Sequence, residues 1–322
     1  MKRLWALALC AALLCSCAAR TPRPGGGKLR VVTTLFPYYD FARAVAGDRA
    51  EVTLLLSPGR EAHSFEPTPL DAVTIAHADV FVCNGGESEA WVDEMLDAAG
   101  DGVGTVLRMM DCVDVREEEF TEGMQGAETA HDHDHDHERD HEDSDEIEYD
   151  EHVWTSPRNA AVLCEALCEA LCAADAANAA AYRANCAAYT AALDALDARF
   201  RALRENAVRD LLVFADRMPL LYFCEAYDLR YRAAFHGCST DTEPSLATLK
   251  YLIDKVREED IPVVYTVDLD SKRIAEAVAE CTGAAIETLY SLQTLSRADF
   301  AAGETYLTMM ERNLNALERG LT

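Results

Sequence analysis

Hydrophobic positions in the first part of the chain form short β-branched runs that alternate with stretches of helical spacing. The predicted strands are at 29–35, 52–56 and 80–83, and the predicted helices are at 38–47, 70–77 and 87–99. Strands that alternate with helices predict a parallel sheet covered by helices on both faces. Residues 28–158 are therefore expected to form a first α/β lobe.

An Ala-rich stretch at 159–207 has helical spacing throughout, with a break at Asp175 and a new helix start at Asn178. The second helix would be about 43 Å long, enough to run the height of two lobes. The alternation then resumes, with strands at 211–215, 231–235, 263–267 and 286–289 and helices at 218–227, 244–258, 271–282 and 300–321. The predicted fold class is α/β, with two parallel-sheet lobes joined by one long rigid helix and the second lobe at 208–322.

Between residues 114 and 151 the alternation stops, and 18 acidic residues, 2 basic residues and five histidines take its place. A segment this polar can bury only a little apolar surface, which is too little to offset the conformational entropy lost on ordering. We therefore expect it to be disordered. The whole chain has a net charge of -28, which argues against nucleic acid as a partner. Cations are the expected partners.

The N-terminus has the pattern of an export signal, with Met-Lys-Arg before an apolar stretch from Leu4 to Leu14. That stretch is about eleven residues, short of the roughly twenty that span a bilayer. The Leu14-Cys-Ser-Cys17 end resembles a lipobox, which implies cleavage before Cys17 and lipidation of its sulfur, with residues 18–27 as a flexible tether. The alternative is an ordinary cleaved signal without a lipid.

Two histidines stand in segments that suggest metal ligation. His63 lies in a loop after the second predicted strand, where open α/β sheets place their ligands. His152 follows the acidic segment directly, and Trp154 and Pro157 would fix the backbone around it. Imidazole is a common metal ligand, although exposed loop histidines also occur without metals.

Cysteines give a weaker signal. Outside the signal segment there are nine, with no CxxC pair, and their connectivity does not follow from the sequence. Cys164, Cys168 and Cys172 fall on one helical stripe. Small buried hydrophobes explain this stripe better than a thiolate metal site.

Taken together, several segments resemble the metal-binding lipoproteins that serve zinc and manganese ABC importers, a family that includes zinc-uptake and adhesin-type solute-binding proteins. The matching segments are His63-Ser-Phe-Glu-Pro67, Ala78-Asp-Val-Phe-Val-Cys-Asn-Gly-Gly86, Glu89-Ala-Trp91, His152-Val-Trp-Thr-Ser-Pro157, Asp175 to Tyr189 and Thr242-Glu-Pro-Ser245. The resemblance covers essentially the whole mature chain. It implies two α/β lobes around one long helix, with a metal in the cleft between them.

The resemblance also implies a ligand set of three histidines and a carboxylate, of which His63 and His152 match the first two. At the third position the chain offers only Asp216, and at the carboxylate position, within residues 289–295, it offers no strong ligand. His236, at the end of a predicted strand, and Glu243, at a helix N-terminus, are further candidates. A surface histidine and a carboxylate placed on the helix dipole are the alternatives for these two.

Alternating imidazole and carboxylate groups form a second metal feature at 131–141, the His-rich segment. Its histidines are His131, His133, His135, His137 and His141. Such a segment offers many weak, exchangeable sites for borderline metals, and zinc-specific members of the family carry a His-rich loop at this place. An incidental polar linker is the alternative. Imidazole ligands favour Zn2+ over the harder Mn2+, which remains the alternative ion.

The sequence therefore predicts an extracytoplasmic solute-binding protein, a monomer anchored to the cell membrane by its lipid, that captures Zn2+ and delivers it to an ABC permease. An extracellular zinc buffer or adhesin without an importer, or a manganese-binding protein, would fit the same features. A zinc-dependent hydrolase fits less well, because no HExxH or GxSxG motif is present. We expect no enzymatic activity.

Overall fold

The computed structural model of this chain describes residues 27–60, 65–125, 148–239, 243–269 and 271–322. Cys17, His63 and the His-rich segment lie outside the described residues. Within the described residues, no helix is long and apolar enough to cross a membrane.

The first lobe is built on a parallel sheet of four strands in the order β2-β1-β3-β4. Its strands are β1 (Leu29–Thr33), β2 (Ala50–Leu54), β3 (Val80–Cys83) and β4 (Thr105–Arg108), and its helices are α1 (Phe36–Ala46), α2 (Pro69–Ala76) and α3 (Trp91–Ala99). The sequence analysis missed β4, an edge strand with no buried residue. Without a buried face, its hydrophobic pattern carries no strand signal.

Two long helices connect the lobes, α4 (Pro157–Ala174) and α5 (Ala179–Asn206). The predicted break at Asp175 is present, and the Asp175 carboxylate accepts hydrogen bonds from Asn178 at 2.7 Å and Tyr182 at 2.8 Å. With 28 residues, α5 is about 42 Å long. It packs against both lobes, with Asn185 Nδ2 donating to the Val45 carbonyl of the first lobe at 3.0 Å.

The second lobe has a parallel sheet in the order β6-β5-β7-β8. Its strands are β5 (Leu211–Met218), β6 (Arg230–His236), β7 (Val263–Val267) and β8 (Ala285–Leu289), and its helices are α6 (Leu221–Ala226), α7 (Leu246–Glu258), α8 (Arg273–Thr282), α9 (Arg297–Ala302) and α10 (Tyr306–Leu321). The helix predicted at 300–321 is two helices, because Gly303 ends α9 in the left-handed conformation. The helix predicted at 218–227 is shorter because β5 extends through Met218.

Residues 150–156, which we name the joining segment, hold the two lobes together in the buried interior. The Asn84 side chain from the first lobe donates to the Glu151 carbonyl at 2.9 Å. From the second lobe, the Tyr222 hydroxyl donates to the Asp150 carbonyl at 2.6 Å and the Tyr306 hydroxyl to the Trp154 carbonyl at 2.7 Å. Trp154, fully buried, donates its indole N–H to the Ser291 carbonyl at 2.7 Å.

This corrects the expectation that residues 114–151 are disordered throughout. Both ends of that segment have defined structure, with an antiparallel bridge between Glu117 and Tyr149 and a hydrogen bond from Glu118 N to the Glu148 carbonyl at 2.9 Å. The prediction rested on average composition. Composition does not reveal that Asp150 and Glu151 become buried, with hydrogen-bond partners from both lobes.

Glu89, just before α3 in the first lobe, has a buried carboxylate. It accepts hydrogen bonds from the backbone N–H groups of Asn84 at 2.6 Å and Gly85 at 3.1 Å. Burial raises the pKa of Glu89 to about 7, since removal from water disfavours the charged form more than these bonds favour it.

The hydrogen bond from Trp154 should be measurable in the stability of the chain. Replacing Trp154 by Phe leaves the Ser291 carbonyl without this donor and opens a small cavity, so we expect the free energy of unfolding to fall by about 2–4 kcal/mol. Urea denaturation measures this. The matched control is Trp91→Phe, at a partly exposed site in the first lobe; equal losses in the two variants would contradict the role of Trp154.

Glu89 should make stability depend on pH. Because its pKa is raised from 4.5 to about 7, the folded state holds a proton in that range that the unfolded state has released. The free energy of unfolding then falls as pH rises through this range and levels off above it. Between pH 5 and 8, the wild type should lose about 2–3 kcal/mol more than Glu89→Gln.

Urea denaturation of metal-stripped protein at both pH values checks this expectation. The control is Glu94→Gln, at an exposed position of α3. If the Glu89→Gln profile runs parallel to the wild-type profile, burial does not hold the proton on Glu89.

Candidate metal site

A small cavity of about 30 Å³ lies where the joining segment meets the carboxyl ends of the second-lobe strands. It is lined by His152, Arg217, Pro219, Gly237, Val267, Asp268, Leu269, Ser291, Gln293 and Thr294. A cavity of this size holds one ion with a water molecule or two, and is too small for an organic solute of ordinary size.

His152 is the central group of this cavity. Its ring Nδ1 lies 3.1 Å from Asp150 Oδ1, and the same oxygen accepts the His152 backbone N–H at 2.7 Å. An Nδ1–H that donates to a carboxylate leaves the lone pair on Nε2, which is the usual arrangement of a metal-binding histidine. The joining segment thus fixes both the position and the tautomer of the ring.

Negative charge surrounds His152. Burial alone would lower the pKa of its imidazole, but the carboxylates of Asp150, Glu118 and Glu151 outweigh burial and raise that pKa above its usual value. The field that stabilises an imidazolium would also stabilise a metal cation at the same place.

Gly237, directly after β6, allows the second lobe to approach this pair closely. A Cβ at this position would lie 3.1 Å from Asp150 Oδ2 and 3.3 Å from His152 Nδ1. Any larger residue would push against the carboxylate and the ring. The glycine therefore lets backbone cover one side of the Asp150–His152 pair.

Asp268 is a cavity residue that the sequence analysis missed. It follows β7 directly, and its Oδ1 accepts the Ser291 backbone N–H at 2.7 Å. Its position at the carboxyl end of a parallel strand is the signal that could have identified it. Gln293, on the neighbouring loop after β8, adds an amide group to the cavity wall.

Asp216, predicted as the third ligand, lies behind the cavity wall and does not line it. One of its oxygens accepts the Arg217 N–H at 2.8 Å and the other accepts the Val267 N–H at 3.1 Å. It sits where the pairing of β5 with β6 is irregular, between Phe214 and Arg217. These hydrogen bonds hold the backbone of Arg217 and Val267 in place. Of Asp216 and its neighbour Arg217, only Arg217 lines the cavity.

His236 and Glu243 are not brought to the cavity. His236 ends β6, with Nδ1 3.6 Å from Glu118 Oε1 and its ring packed on Phe120. Burial acts to raise the pKa of Glu118, but bonds with His236 and Cys238 outweigh it and hold the pKa below its usual value. Glu243 is exposed and pairs with Arg273 at 2.9 Å on the surface.

His63 lies outside the described residues, but the chain on both sides of residues 61–64 is anchored. The Gly59 N–H donates to the Leu295 carbonyl at 2.7 Å, one residue beyond Thr294 of the cavity wall. After the gap, Phe65 packs on Trp91 with ring centroids 5.3 Å apart. The entry to the His63 loop therefore touches the second lobe next to the cavity.

The Asp150–His152 pair gives a direct prediction. Asp150→Asn removes the carboxylate that orients the ring and stabilises positive charge, so the affinity of metal-stripped protein for Zn2+ should fall about 10- to 100-fold. Competition with a zinc-chelating dye measures it. Asp197→Asn, another buried carboxylate that accepts from Tyr227 at 3.0 Å, is the control. An unchanged affinity in Asp150→Asn would contradict the role of the Asp150 carboxylate in orienting a metal-binding His152.

Comparison with known proteins confirms the resemblance and the fold class. The chain is 33% identical over 312 residues to the zinc-binding lipoprotein AdcA of Streptococcus pneumoniae, matching 97% of this chain but spanning only 59% of that protein. It is 31% identical to the high-affinity zinc uptake system protein ZnuA of Bacillus subtilis, over 99% of this chain and 97% of that protein.

The crystal structure of the Zn(II)-bound ZnuA-like domain of S. pneumoniae AdcA superimposes with a TM-score of 0.73 at 29% identity. That match covers 92% of this chain and 99% of the domain. The family described as zinc-uptake complex component A, periplasmic, matches residues 31–320. The chain thus belongs to the zinc-uptake complex component A family.

Proposed function

We propose that this protein is the extracytoplasmic solute-binding component of an ABC importer, which captures Zn2+ in the cleft between its lobes and delivers it to a membrane permease. The observation that carries the proposal is a buried histidine, His152, oriented by a buried carboxylate in a cavity of about 30 Å³. The zinc-related names of the relatives support the choice of ion.

The proposed ligands are His152 and Asp268 from the cavity, together with His63 from the loop that enters beside Leu295. Two imidazoles and a carboxylate form a set that Zn2+ accepts readily, with water as the fourth ligand. Mn2+ prefers more oxygen ligands, so it should bind more weakly. Asp216 contributes by holding the backbone of Arg217 and Val267 in place.

The cavity is built for binding rather than turnover. No covalent step is needed for a carrier, and release requires only that the ligands separate as the lobes move. Binding of zinc displaces the proton that the surrounding carboxylates favour on His152, so capture should weaken in acid.

The His-rich segment is proposed to gather Zn2+ at weak sites and pass it toward the cleft. Its ends are paired by the bridge between Glu117 and Tyr149, next to Glu118 and His236. His236 thus lies at the root of this segment, where an ion moving inward would meet an imidazole and a carboxylate. We assign His236 to this auxiliary path and not to the cleft.

The N-terminal signal fits the same function. Cys17 is proposed as the lipidated residue that anchors the mature protein, as a monomer, to the outer face of the cell membrane. A lipid anchor with the short tether at 18–27 would keep the carrier near its permease.

The test is a competitive titration of metal-stripped protein with Zn2+ and Mn2+. The wild type should bind one Zn2+ tightly, with Mn2+ weaker, and His152→Ala should weaken Zn2+ binding at least about a hundredfold. Asp268→Asn should weaken it by a smaller factor. His77→Ala, at an exposed histidine, is the control and should leave the affinity unchanged.

Deletion of residues 130–143 completes this titration. The deleted protein should keep the tight site and lose the weaker ones. Retention of the tight site in His152→Ala, or its loss on deletion of residues 130–143, would overturn the proposed cleft site and favour an extracellular zinc buffer.

A further inference from the structure

Four cysteines meet between the connecting helices α4 and α5, and we name them the cysteine cluster. They are Cys164, Cys168 and Cys172 on α4 and Cys186 on α5. Each is at most 5% exposed, and all four are free thiols. The sequence shows the stripe of three on α4, but only the packing of the helices shows that a fourth sulfur faces it.

The sulfur atoms form a continuous row. Cys186 Sγ lies 4.0 Å from Cys164 Sγ, and Cys186 also interacts with Cys168. Further along α4, the ligand atoms of Cys168, Glu169 and Cys172 all lie within 4.8 Å of one another. Cys186 therefore stands between two sulfurs of the stripe, and Cys172 with Glu169 closes the outer end.

These separations fit an ion between sulfurs without movement of the backbone. A metal about 2.3 Å from each of two sulfurs places those sulfurs about 3.8 Å apart at a tetrahedral angle and about 4.6 Å apart when linear. The distance of 4.0 Å between Cys164 and Cys186 lies inside that range. Small changes of side-chain torsion would complete the geometry.

One cationic side chain lies close to the outer end of the row. Arg183 pairs with Glu169 at 2.9 Å, and its charge also interacts with Cys168 and Cys172. Hydrogen bonds from Cys164 and Cys168 lower the pKa of the Cys186 thiol to about 7, against the opposing effect of burial. The hydrogen bond with Cys186 raises the pKa of the Cys164 thiol, and burial raises the pKa of the Cys168 thiol. A bound ion therefore has to displace the proton of at least one of these two thiols.

We propose that the cysteine cluster is a second metal site, which binds a soft monovalent cation, Cu(I). Thiolate sulfur selects soft ions. Among the described residues, Glu169 at the exposed rim is the carboxylate whose oxygen groups with the Cys168 and Cys172 sulfurs. The ion enters as Cu(I), each bound thiol releases its proton to water, and no electron is transferred.

This site is independent of the proposed zinc cleft, since it uses neither His152 nor Asp268. A disulfide between Cys164 and Cys186, formed by an external disulfide oxidant that accepts two electrons and two protons, is the competing use of the same sulfurs. A sulfur in this disulfide cannot bind the ion as a thiolate, so the two alternatives exclude each other. Copper binding and disulfide formation are measured by different experiments.

The experiment uses the full mature chain, reduced, metal-stripped and kept free of oxygen. Cu(I) is supplied from a coloured Cu(I) chelator, and the loss of colour reports transfer to the protein. The wild type should withdraw one equivalent of Cu(I), and Cys168→Ala/Cys186→Ala should lower the affinity at least tenfold. Cys224→Ala, at another buried cysteine, should compete as the wild type does.

X-ray absorption of the copper-loaded wild type provides a test that does not depend on variant folding, and sulfur should be the sole ligand. Failure of the wild type to compete, an unchanged affinity in the double variant, or nitrogen and oxygen ligands would overturn the proposal. So would a Cys164–Cys186 disulfide found by alkylation and mass spectrometry in protein isolated without reductant.

Discussion

The arrangement of this protein depends on the hydrogen bonds of the joining segment, residues 150–156. Buried backbone carbonyls need hydrogen-bond donors. Side chains of both lobes donate to those of the joining segment, Asn84 from the first lobe and Tyr222 and Tyr306 from the second. Trp154, in the joining segment, donates its indole N–H to the Ser291 carbonyl of the second lobe. Leaving any one of these groups unpaired would cost about 1–3 kcal/mol, so the lobes cannot separate at this point without losing several such bonds. A histidine in this segment is held more firmly than one on a surface loop.

The same segment concentrates negative charge around that histidine. Asp150 and Glu151 are buried beside it, and their field raises the pKa of His152 in spite of its burial. Buried carboxylates are unfavourable unless they have partners. The backbone N–H of His152 donates to Asp150, and that of Ser88 in the first lobe donates to Glu151, which supplies part of that compensation. A cation in the cleft would supply more. The electrostatics of the cleft and its proposed ligand are therefore two aspects of one arrangement, because a proton and a metal ion compete for the same ring.

Local sequence patterns predict those features of the structure that depend on interactions between residues near one another in the chain. The alternation of strands and helices and the break at Asp175 could be inferred from the sequence, and His152 could be named as a candidate that the structure places in the cavity wall. The edge strand β4 could not be predicted, because none of its residues is buried and its sequence therefore lacks the hydrophobic pattern of a strand. Asp268 and Asp216 show a second limit, since the sequence does not tell which carboxylate at a strand end lines the cavity. Asp268 lines it, whereas Asp216 lies where the pairing of β5 with β6 is irregular and is not among the lining residues. Cys186 shows a third, because its partners lie on a different helix.

The two proposed sites differ in ligand chemistry in a direction that matters for selectivity. Sites of imidazole and carboxylate bind Cu2+ more tightly than Zn2+, so a cleft containing His152 and Asp268 has no intrinsic means of rejecting Cu2+. A row of buried sulfurs on α4 and α5 prefers Cu(I) to Zn2+ far more strongly than the cleft can. Copper that reaches the protein as Cu(I) would then be held on the connecting helices, and the cleft would stay open to zinc. Selectivity would in that case arise from two sites competing for different ions on one chain.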